Sequence, residues 1–550
     1  MADFKETVEQ YFRKSLELSP VWGSDLGLEE YDDLLPEGGK KQQERSIALS
    51  ESFLRDVKAF PESDLSFDER IDRECLIDVL EMDLFSEKHI KLDKGYPRGP
   101  ARVGSALYTL ISRDSTPFEG RLRSIISRLE KIPRYLEETR ELVEKPVWIW
   151  TEIGIESCHR MKGYIDFIEE MAKALIKNDG LLRELHGNAV KVRDAFKAYE
   201  QWLSTDILPK AGPDYAIGEE KFAALMAMRK LGYTPGEILA IGEDYVKSIN
   251  DTMKSIARQI DGTATVEEIL KGIRGKGPTN FEQVLNDVKK VMREAREFVK
   301  ESSFATLPEN EILDVQETPI FMRHFIPFAA YSSPGKFDKI QKGIYMITPV
   351  EGNNERLKEF CSEDMVNTSV HEGYPGHHLQ LCCSNTNPQT ARIFAHAFEF
   401  IEGWAHYCED AAAEAGFKNT PEGSLIRYKD MLWRAWRIII DIKLSSGQMS
   451  FEDAIATLVN EVGMEEVGAM AEVKRYTYTP GYQLSYLMGK HMLKALKTRI
   501  KATFPRQFSD RRFHDILLYS GNLPIYLMEK VMKEKMGEKD SAASLPAGPR

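Results

Sequence analysis

The chain has 550 residues, of which 42% are hydrophobic and 29% charged, a composition that excludes whole-chain disorder, collagen and a small disulfide scaffold. The net charge of −13 argues against a nucleic-acid partner, because such partners are held by excess lysine and arginine. The six cysteines have no paired spacing, which predicts free thiols and a reducing compartment. With no signal-peptide pattern and no run of about 18 apolar residues, the sequence predicts a cytoplasmic protein without a membrane partner.

Helical periodicity dominates the first part of the chain. Apolar residues recur there at three- and four-residue intervals, the pattern of one buried helical face. The clearest of these charged, leucine-rich segments are 40–59, 66–88, 121–145, 155–178, 183–204 and 281–301. Proline and glycine turn signals separate them. The sequence therefore predicts a mostly helical region over residues 1–305.

The pattern changes after residue 305, where short β-branched and aromatic runs are broken by proline and glycine. These runs, which predict a small sheet, are 312–319, 325–335 and 343–350. Helical periodicity then resumes. We therefore expect a mainly α protein whose second region, 306–536, contains the sheet and the helices of the site. Residues 537–550 are predicted to be a disordered tail.

Five of the eleven histidines lie in 371–406, and His371 is followed directly by Glu372. In the HExxH motif, histidines at i and i+4 share one helical face and bind zinc. Here the next histidines, His377 and His378, come at i+6 and i+7, and a regular helix would carry both away from His371. The intervening Gly-Tyr-Pro-Gly stretch can interrupt a helix. The sequence therefore predicts a local bulge that returns one of the two histidines to a metal.

A third metal ligand is predicted on the next helical segment. Glu402 follows His377 by 25 residues, which is enough for one return turn and an antiparallel helix. Glu409 lies seven residues further along the same face and, with Asp410 or His406, is a candidate to orient the ligating histidines. Three protein ligands and one open position are typical of catalytic zinc. We therefore expect one Zn²⁺ per chain.

Groups for catalysis are found beside the ligands and in a tyrosine-rich segment near residue 480. Glu372, next to His371, is the predicted general base. Tyr476 and Tyr482 flank a Pro-Gly break and are candidate donors to the oxyanion that forms when an amide is hydrolysed. Arg475 is a candidate anchor for a carboxylate.

The motifs together resemble the family labelled domain of unknown function 885, whose members resemble gluzincin metallopeptidases. The resembling stretches span nearly the whole chain and are YDDLLPEGG, RHFIPFAAYSSPGKFD, YMITPV, HEGYPGHHLQ, FIEGWAHYCED, RYTYTPGYQLSY and HDILLYSGNLPIYLMEK. The most specific part is HEGYPGHH followed by EGWAHYCE. The resemblance implies a two-lobed helical metallopeptidase with a small sheet beside the active-site helices.

More distant similarities assign particular residues. IEGWAHYCE is similar to the NExFAxYxE motif of aminopeptidase N-type enzymes, whose first glutamate binds zinc, which implies that Glu402 is a ligand. In thimet oligopeptidase, angiotensin-converting enzyme and dipeptidyl peptidase III the second ligand histidine follows a glycine, a similarity that favours His377 as the second ligand and leaves His378 as the competing candidate. Those peptidases bind the substrate backbone on an edge strand, a role that the similarity assigns to GIYMITPV at 343–350.

The predicted function is hydrolysis of peptides by a cytoplasmic zinc peptidase. Zinc lowers the pKa of its water, and Glu372 takes the proton as the water attacks the scissile carbonyl. One alternative is an amidase or esterase that uses the same groups on a non-peptide substrate. Another is a non-catalytic binding or scaffold protein whose histidines are structural. Glu372 favours an enzyme, because a purely structural ligand set has no use for a carboxylate beside His371.

Overall fold

The structure, a computed structural model, describes residues 3–113, 116–319, 323, 329–349, 357–358 and 360–537. The chain divides into two units, Met1–Tyr215 with Gly335–Asp338, and Ala216–Pro334 with Lys339–Arg550. The boundary predicted at residue 305 falls inside the second unit. Of the predicted tail, all but the first residue lies outside the described residues.

The described residues of the first unit form eight α-helices. They are α1 (Phe4–Leu18), α2 (Pro20–Asp25), α3 (Lys40–Ala59), α4 (Phe67–Phe85), α5 (Gly99–Ser112), α6 (Phe118–Thr139), α7 (Trp148–Leu175) and α8 (Asp179–Trp202). Local sequence explains where helices begin. For example, Ser66 and Glu69 form a reciprocal capping box that satisfies the first free N–H groups of α4.

The second unit contains thirteen α-helices and three strands in its described part. The helices before the sheet are α9 (Glu219–Met228), α10 (Pro235–Ile260), α11 (Val266–Arg274) and α12 (Phe281–Glu301). Those after it are α13 (Ser362–Glu372), α14 (His377–Asn385), α15 (Phe398–Glu414), α16 (Pro421–Ser446), α17 (Phe451–Val462), α18 (Glu466–Tyr476), α19 (Ser485–Thr503), α20 (Asp510–Tyr519) and α21 (Ile525–Gly537). The prediction of a mainly α protein is confirmed.

The small sheet is also confirmed, and its strands are β1 (Glu311–Glu317), β2 (Ala329–Ser332) and β3 (Gln341–Ile347). The strand order is β1-β3-β2, with β1 parallel and β2 antiparallel to β3. GIYMITPV therefore supplies the central strand, and the expectation that it is an edge strand is wrong. Pairing on both sides occupies the backbone groups that strand addition would need.

One apolar cluster joins the sheet to the helices on either side of it in sequence. Val288 and Met292 of α12, Val315 and Tyr345 of the sheet, and Met365 of α13 are all buried in it. Burial of these side chains in one cluster stabilises the position of α13 against the sheet. The helix that ends in the His-Glu pair is thereby held beside the central strand.

Two glycines set how closely α15 approaches α19. A Cβ atom on Gly489 would lie 1.9 Å from the carbonyl oxygen of Glu399, and one on Gly403 would lie 2.5 Å from the Cα of Gly489. The two helix backbones are therefore in direct contact. This contact brings the Glu402 turn of α15 next to the tyrosines at the start of α19.

All six cysteines are buried free thiols, as predicted. Among the helices that the structure describes, none combines the length and apolarity of a membrane span.

Candidate metal centre

The predicted bulge is a complete break between two helices. α13 ends at Glu372 and α14 begins at His377. At Gly376 the chain folds back so tightly that a Cβ atom there would lie 1.9 Å from the carbonyl oxygen of His371. Only glycine tolerates this approach. The break therefore returns the chain to the end of α13.

The indole of Trp404 fastens the break to α15. Its Nε1 donates a hydrogen bond of 2.9 Å to the carbonyl oxygen of Pro375, and the side chain is fully buried. Trp404 lies two residues from Glu402 on the same helix. The return of the chain and the position of the predicted third ligand are therefore fixed by one side chain.

His371, His377 and Glu402 converge, and each offers one ligand atom within 4.8 Å of the others. The Oε2 of Glu402 lies 3.4 Å from the Nε2 of His377 and 3.9 Å from the Nε2 of His371. Bonds of about 2.0–2.2 Å to a tetrahedral zinc separate ligand atoms by roughly 3.3–3.6 Å. All three side chains are buried, with 6–8% of their surface exposed. The distance to His377 falls in this range and that to His371 is slightly longer, and the donor types are those of a zinc site.

The electrostatics of Glu402 also fit a cation. Burial alone would raise its pKa, but hydrogen bonding and charge from His377, with the charge of His371 and a hydrogen bond from Tyr482, lower the pKa to about 2. Tyr482 donates to Oε1 over 2.5 Å, which leaves Oε2 directed at the histidines. The distance from Oε2 to His371 is too long for a hydrogen bond. An ion between these atoms would satisfy both.

Glu409 orients His371 through a hydrogen bond to its Nδ1. Its Oε1 accepts from the Nδ1 of His371 over 2.7 Å, which leaves the Nε2 lone pair free for a metal. Burial alone would raise the pKa of Glu409, but His406, His371 and Arg434 lower it well below its ordinary value. Of the three residues predicted for this role, Glu409 makes the contact. Asp410 instead pairs with lysines of α19.

We expect Glu409→Gln to weaken zinc affinity by about 10- to 100-fold, because loss of a carboxylate partner of a ligating histidine typically has this effect. Competition with a chromophoric chelator measures the affinity. Glu414→Gln, on an exposed site of the same helix, is the matched control and should bind zinc as the wild type does. Equal affinities in all three proteins would contradict the role of Glu409.

His378 does not join the three converging residues. Its Nε2 lies 2.9 Å from the Oε2 of Glu311, and its Nδ1 lies 3.0 Å from the hydroxyl of Tyr331. Because successive residues of a helix diverge by about 100°, His378 points to the sheet when His377 points to Glu402. The structure therefore removes His378 from the candidate ligands and assigns it to docking α14 on β1 and β2.

Glu372 is half-buried at the end of α13, next to His371. Its carboxylate makes no hydrogen bond or ion pair to the residues described. Burial first, and the charge of Glu372 second, raise the pKa of Tyr345 well above its ordinary value. Glu372 directly follows His371, and its carboxylate oxygens are not occupied by the described residues.

Two tyrosines border the group on the side of α19. The hydroxyl of Tyr486 lies 3.5 Å from that of Tyr482, and its ring is nearly parallel to His371 at a centroid distance of 6.4 Å. Tyr482 is a predicted donor, whereas Tyr486 is not among the predicted site residues. Tyr486 lies in the first turn of α19, four residues after Tyr482, which is in the turn before that helix.

Tyr476 and Arg475 make no hydrogen bond or ion pair to the three converging residues in the described part of the chain. Tyr476 is 1% exposed, and its hydroxyl accepts from the Nε of Arg437 over 2.9 Å and is hydrogen-bonded to Glu472, so burial and these two partners oppose the predicted role of oxyanion donor. Arg475 pairs with Glu472 and lies over the ring of Tyr482. The sequence around Arg437, in the middle of α16, did not predict a role for this residue near the site.

The turn that carries Tyr482 is held by a buried carboxylate. Asp441 accepts from the backbone N–H groups of Gly481 and Leu484 over 2.8 and 3.1 Å. Burial raises its pKa to about 6, against the effect of these hydrogen bonds. Asp441 therefore positions the tyrosine that contacts Glu402.

Fold and site together define a mainly helical protein with a small sheet and a buried group of two histidines and one glutamate. Residues 20–532 match the family described as "Bacterial protein of unknown function (DUF885)", and the chain belongs to that family.

Two solved structures share the fold. One, described as "a putative lipoprotein of unknown function from Shewanella oneidensis", has a TM-score of 0.79 and 23% identity, and the match covers 97% of this chain and 100% of that one. The other, described as "the putative lipoprotein from Colwellia psychrerythraea", has a TM-score of 0.84 and 19% identity, with 98% and 99% covered. Neither supports the predicted cytoplasmic location. No curated protein matches the sequence.

Proposed function

We propose that the protein is a zinc-dependent, gluzincin-like peptidase. The observation that carries the proposal is the buried convergence of His371, His377 and Glu402. Two histidines and one carboxylate with an open fourth position are the ligand set of catalytic zinc in several peptidases. A structural zinc site would close with a fourth protein ligand, usually a cysteine.

The surrounding residues supply the remaining parts of a hydrolytic mechanism. When bound, zinc would lower the pKa of water and polarise a carbonyl. Glu372 accepts the proton of the attacking water and returns it to the leaving amine. Burial and the charge of Glu402 raise the pKa of Tyr482, so its hydroxyl stays protonated, and it would donate to the oxyanion by exchanging its contact with Glu402. Glu409 keeps His371 in one tautomer throughout.

Metal analysis and a peptide screen test the proposal together. Protein purified without chelators should contain one zinc ion per chain by elemental analysis. It should cleave members of a mixed peptide library, with the products mapped by mass spectrometry. Removal of the metal with a chelator should abolish cleavage, and added zinc should restore it.

Ester and acylated amino-acid substrates form the comparison set for the screen. Preferential cleavage of these compounds, with the peptides left intact, would replace the peptidase by an esterase or amidase. Protein without stoichiometric metal that cleaves no substrate would instead support a binding or scaffold role.

A further inference from the structure

Two arginines beside the candidate metal centre share a single carboxylate. The Oε2 of Glu472 lies 2.9 Å from the Nη2 of Arg437 and 2.8 Å from the Nη2 of Arg475. Burial alone would raise the pKa of Glu472, but the two guanidinium groups lower it to about 2. These three side chains therefore carry two positive charges and one negative charge.

The two arginines differ in what they can reach. Arg437 is enclosed, with its guanidinium 4.0 Å from the ring centroid of Trp433 and 4.7 Å from that of Tyr486. Only 5% of its side chain is exposed, against 32% of that of Arg475. Because an uncompensated charge is costly to bury, the excess positive charge is best accommodated at Arg475, where water or a ligand can reach it.

Arg475 is one tyrosine side chain away from the metal ligands. Its guanidinium lies 5.8 Å from the ring centroid of Tyr482, whose hydroxyl contacts Glu402. That distance, the rest of the tyrosine ring and the 2.5 Å hydrogen bond to Glu402 add along the path, so about three or four extended peptide residues, at about 3.3–3.6 Å each, are the upper limit between Arg475 and the ligands. A carboxylate held by Arg475 would thus belong to a residue within a few positions of the bond that is cleaved.

An exposed aromatic ring lies against the same tyrosine. Phe398, at the start of α15, is 42% exposed, and its ring meets that of Tyr482 edge-on at a centroid distance of 4.9 Å. A single exposed apolar residue needs no explanation by itself. Here, however, Phe398 and Arg475 both contact Tyr482. An apolar surface and a cation therefore lie next to the same side chain, whose hydroxyl contacts Glu402.

We propose, on the basis of the peptidase function above, that Arg475 binds the free carboxylate of a peptide substrate and that Phe398 contacts its apolar terminal side chain. The enzyme is then a carboxypeptidase that removes one to a few residues from the carboxyl end. Arginine suits this role because its planar fork binds a carboxylate through two parallel hydrogen bonds.

Matched peptides with the same sequence and either a free or an amidated carboxyl terminus test the inference on the zinc-loaded enzyme. We expect kcat/KM to be about 10- to 100-fold higher for the free acid, the value of one charge-assisted contact. Arg475→Gln should reduce this ratio to near one by raising KM for the free acid. Arg499→Gln, at an exposed arginine that pairs with Glu529, is the control and should preserve the ratio.

The outcomes separate the two proposals. Equal cleavage of acid and amide by the wild type, or cleavage only at internal bonds, overturns the carboxypeptidase inference and leaves the peptidase standing. Failure of the zinc-loaded wild type to cleave either peptide overturns both. For the apolar contact, Phe398→Ala should lower the preference for terminal phenylalanine over serine several-fold. An unchanged preference removes Phe398 from the subsite.

Discussion

Glu372→Gln should retain one zinc ion per chain and lower kcat for peptides by about 100- to 10,000-fold, the usual contribution of a general base. The amide has nearly the shape of the carboxylate but cannot accept the proton of the attacking water. Zinc is expected to remain because Glu372 is not among the three converging residues. Single-turnover kinetics and elemental analysis of the same preparation measure both quantities.

Glu363→Gln provides the control, since Glu363 lies in the first turn of the same helix, away from its His-Glu end. This variant should match the wild type in turnover and zinc content. Full peptide turnover by Glu372→Gln would remove Glu372 from catalysis. Loss of zinc from that variant would instead make Glu372 a ligand.

The second large expected effect is a difference between alanine substitutions at the adjacent residues His377 and His378. His377→Ala should lose zinc and activity, because it removes one of the three proposed protein ligands. His378→Ala should keep zinc but lower the free energy of unfolding by about 1–3 kcal/mol, since it removes one buried hydrogen-bond partner from Glu311 and one from Tyr331. Zinc content and urea denaturation distinguish the two effects.

The two substitutions delete the same side chain from neighbouring positions, so each is the control for the other. If His378→Ala lost zinc while His377→Ala retained it, the assignment of the second ligand would be reversed. Equal loss of zinc in both variants would indicate that the sheet contact and the metal site are one cooperative structure.

Local sequence patterns predicted helix bounds accurately where a nearby residue, such as a capping side chain, determines where the helix begins. The segments 40–59 and 281–301 coincide with α3 and α12, and the latter begins where the side chain of Asn280 caps it. The sheet was predicted as three strands, but its order was not. Strand order depends on crossovers and long-range pairing, which leave no periodic signal in the sequence.

The candidate site was predictable where the sequence spacing of its residues limits how they can be arranged on neighbouring helices. The spacing of His371 and Glu402 on neighbouring helices is visible in the sequence. The choice between His377 and His378 depends on the residue at which α14 starts, and a contact between two backbones fixes that start. Tyr476 was predicted as a donor because its sequence neighbourhood does not show that Arg437, 39 residues earlier on another helix, hydrogen-bonds its hydroxyl.

The overlap that any side chain at position 376 would make with the carbonyl of His371 bears on how such metal centres can be found in other sequences. The absence of a side chain at position 376 is as necessary to the site as its imidazoles. A pattern of His-Glu, four residues ending in glycine, a histidine and then a glutamate 25 residues later includes this requirement for glycine. Search patterns that assume an uninterrupted helix do not detect such a site.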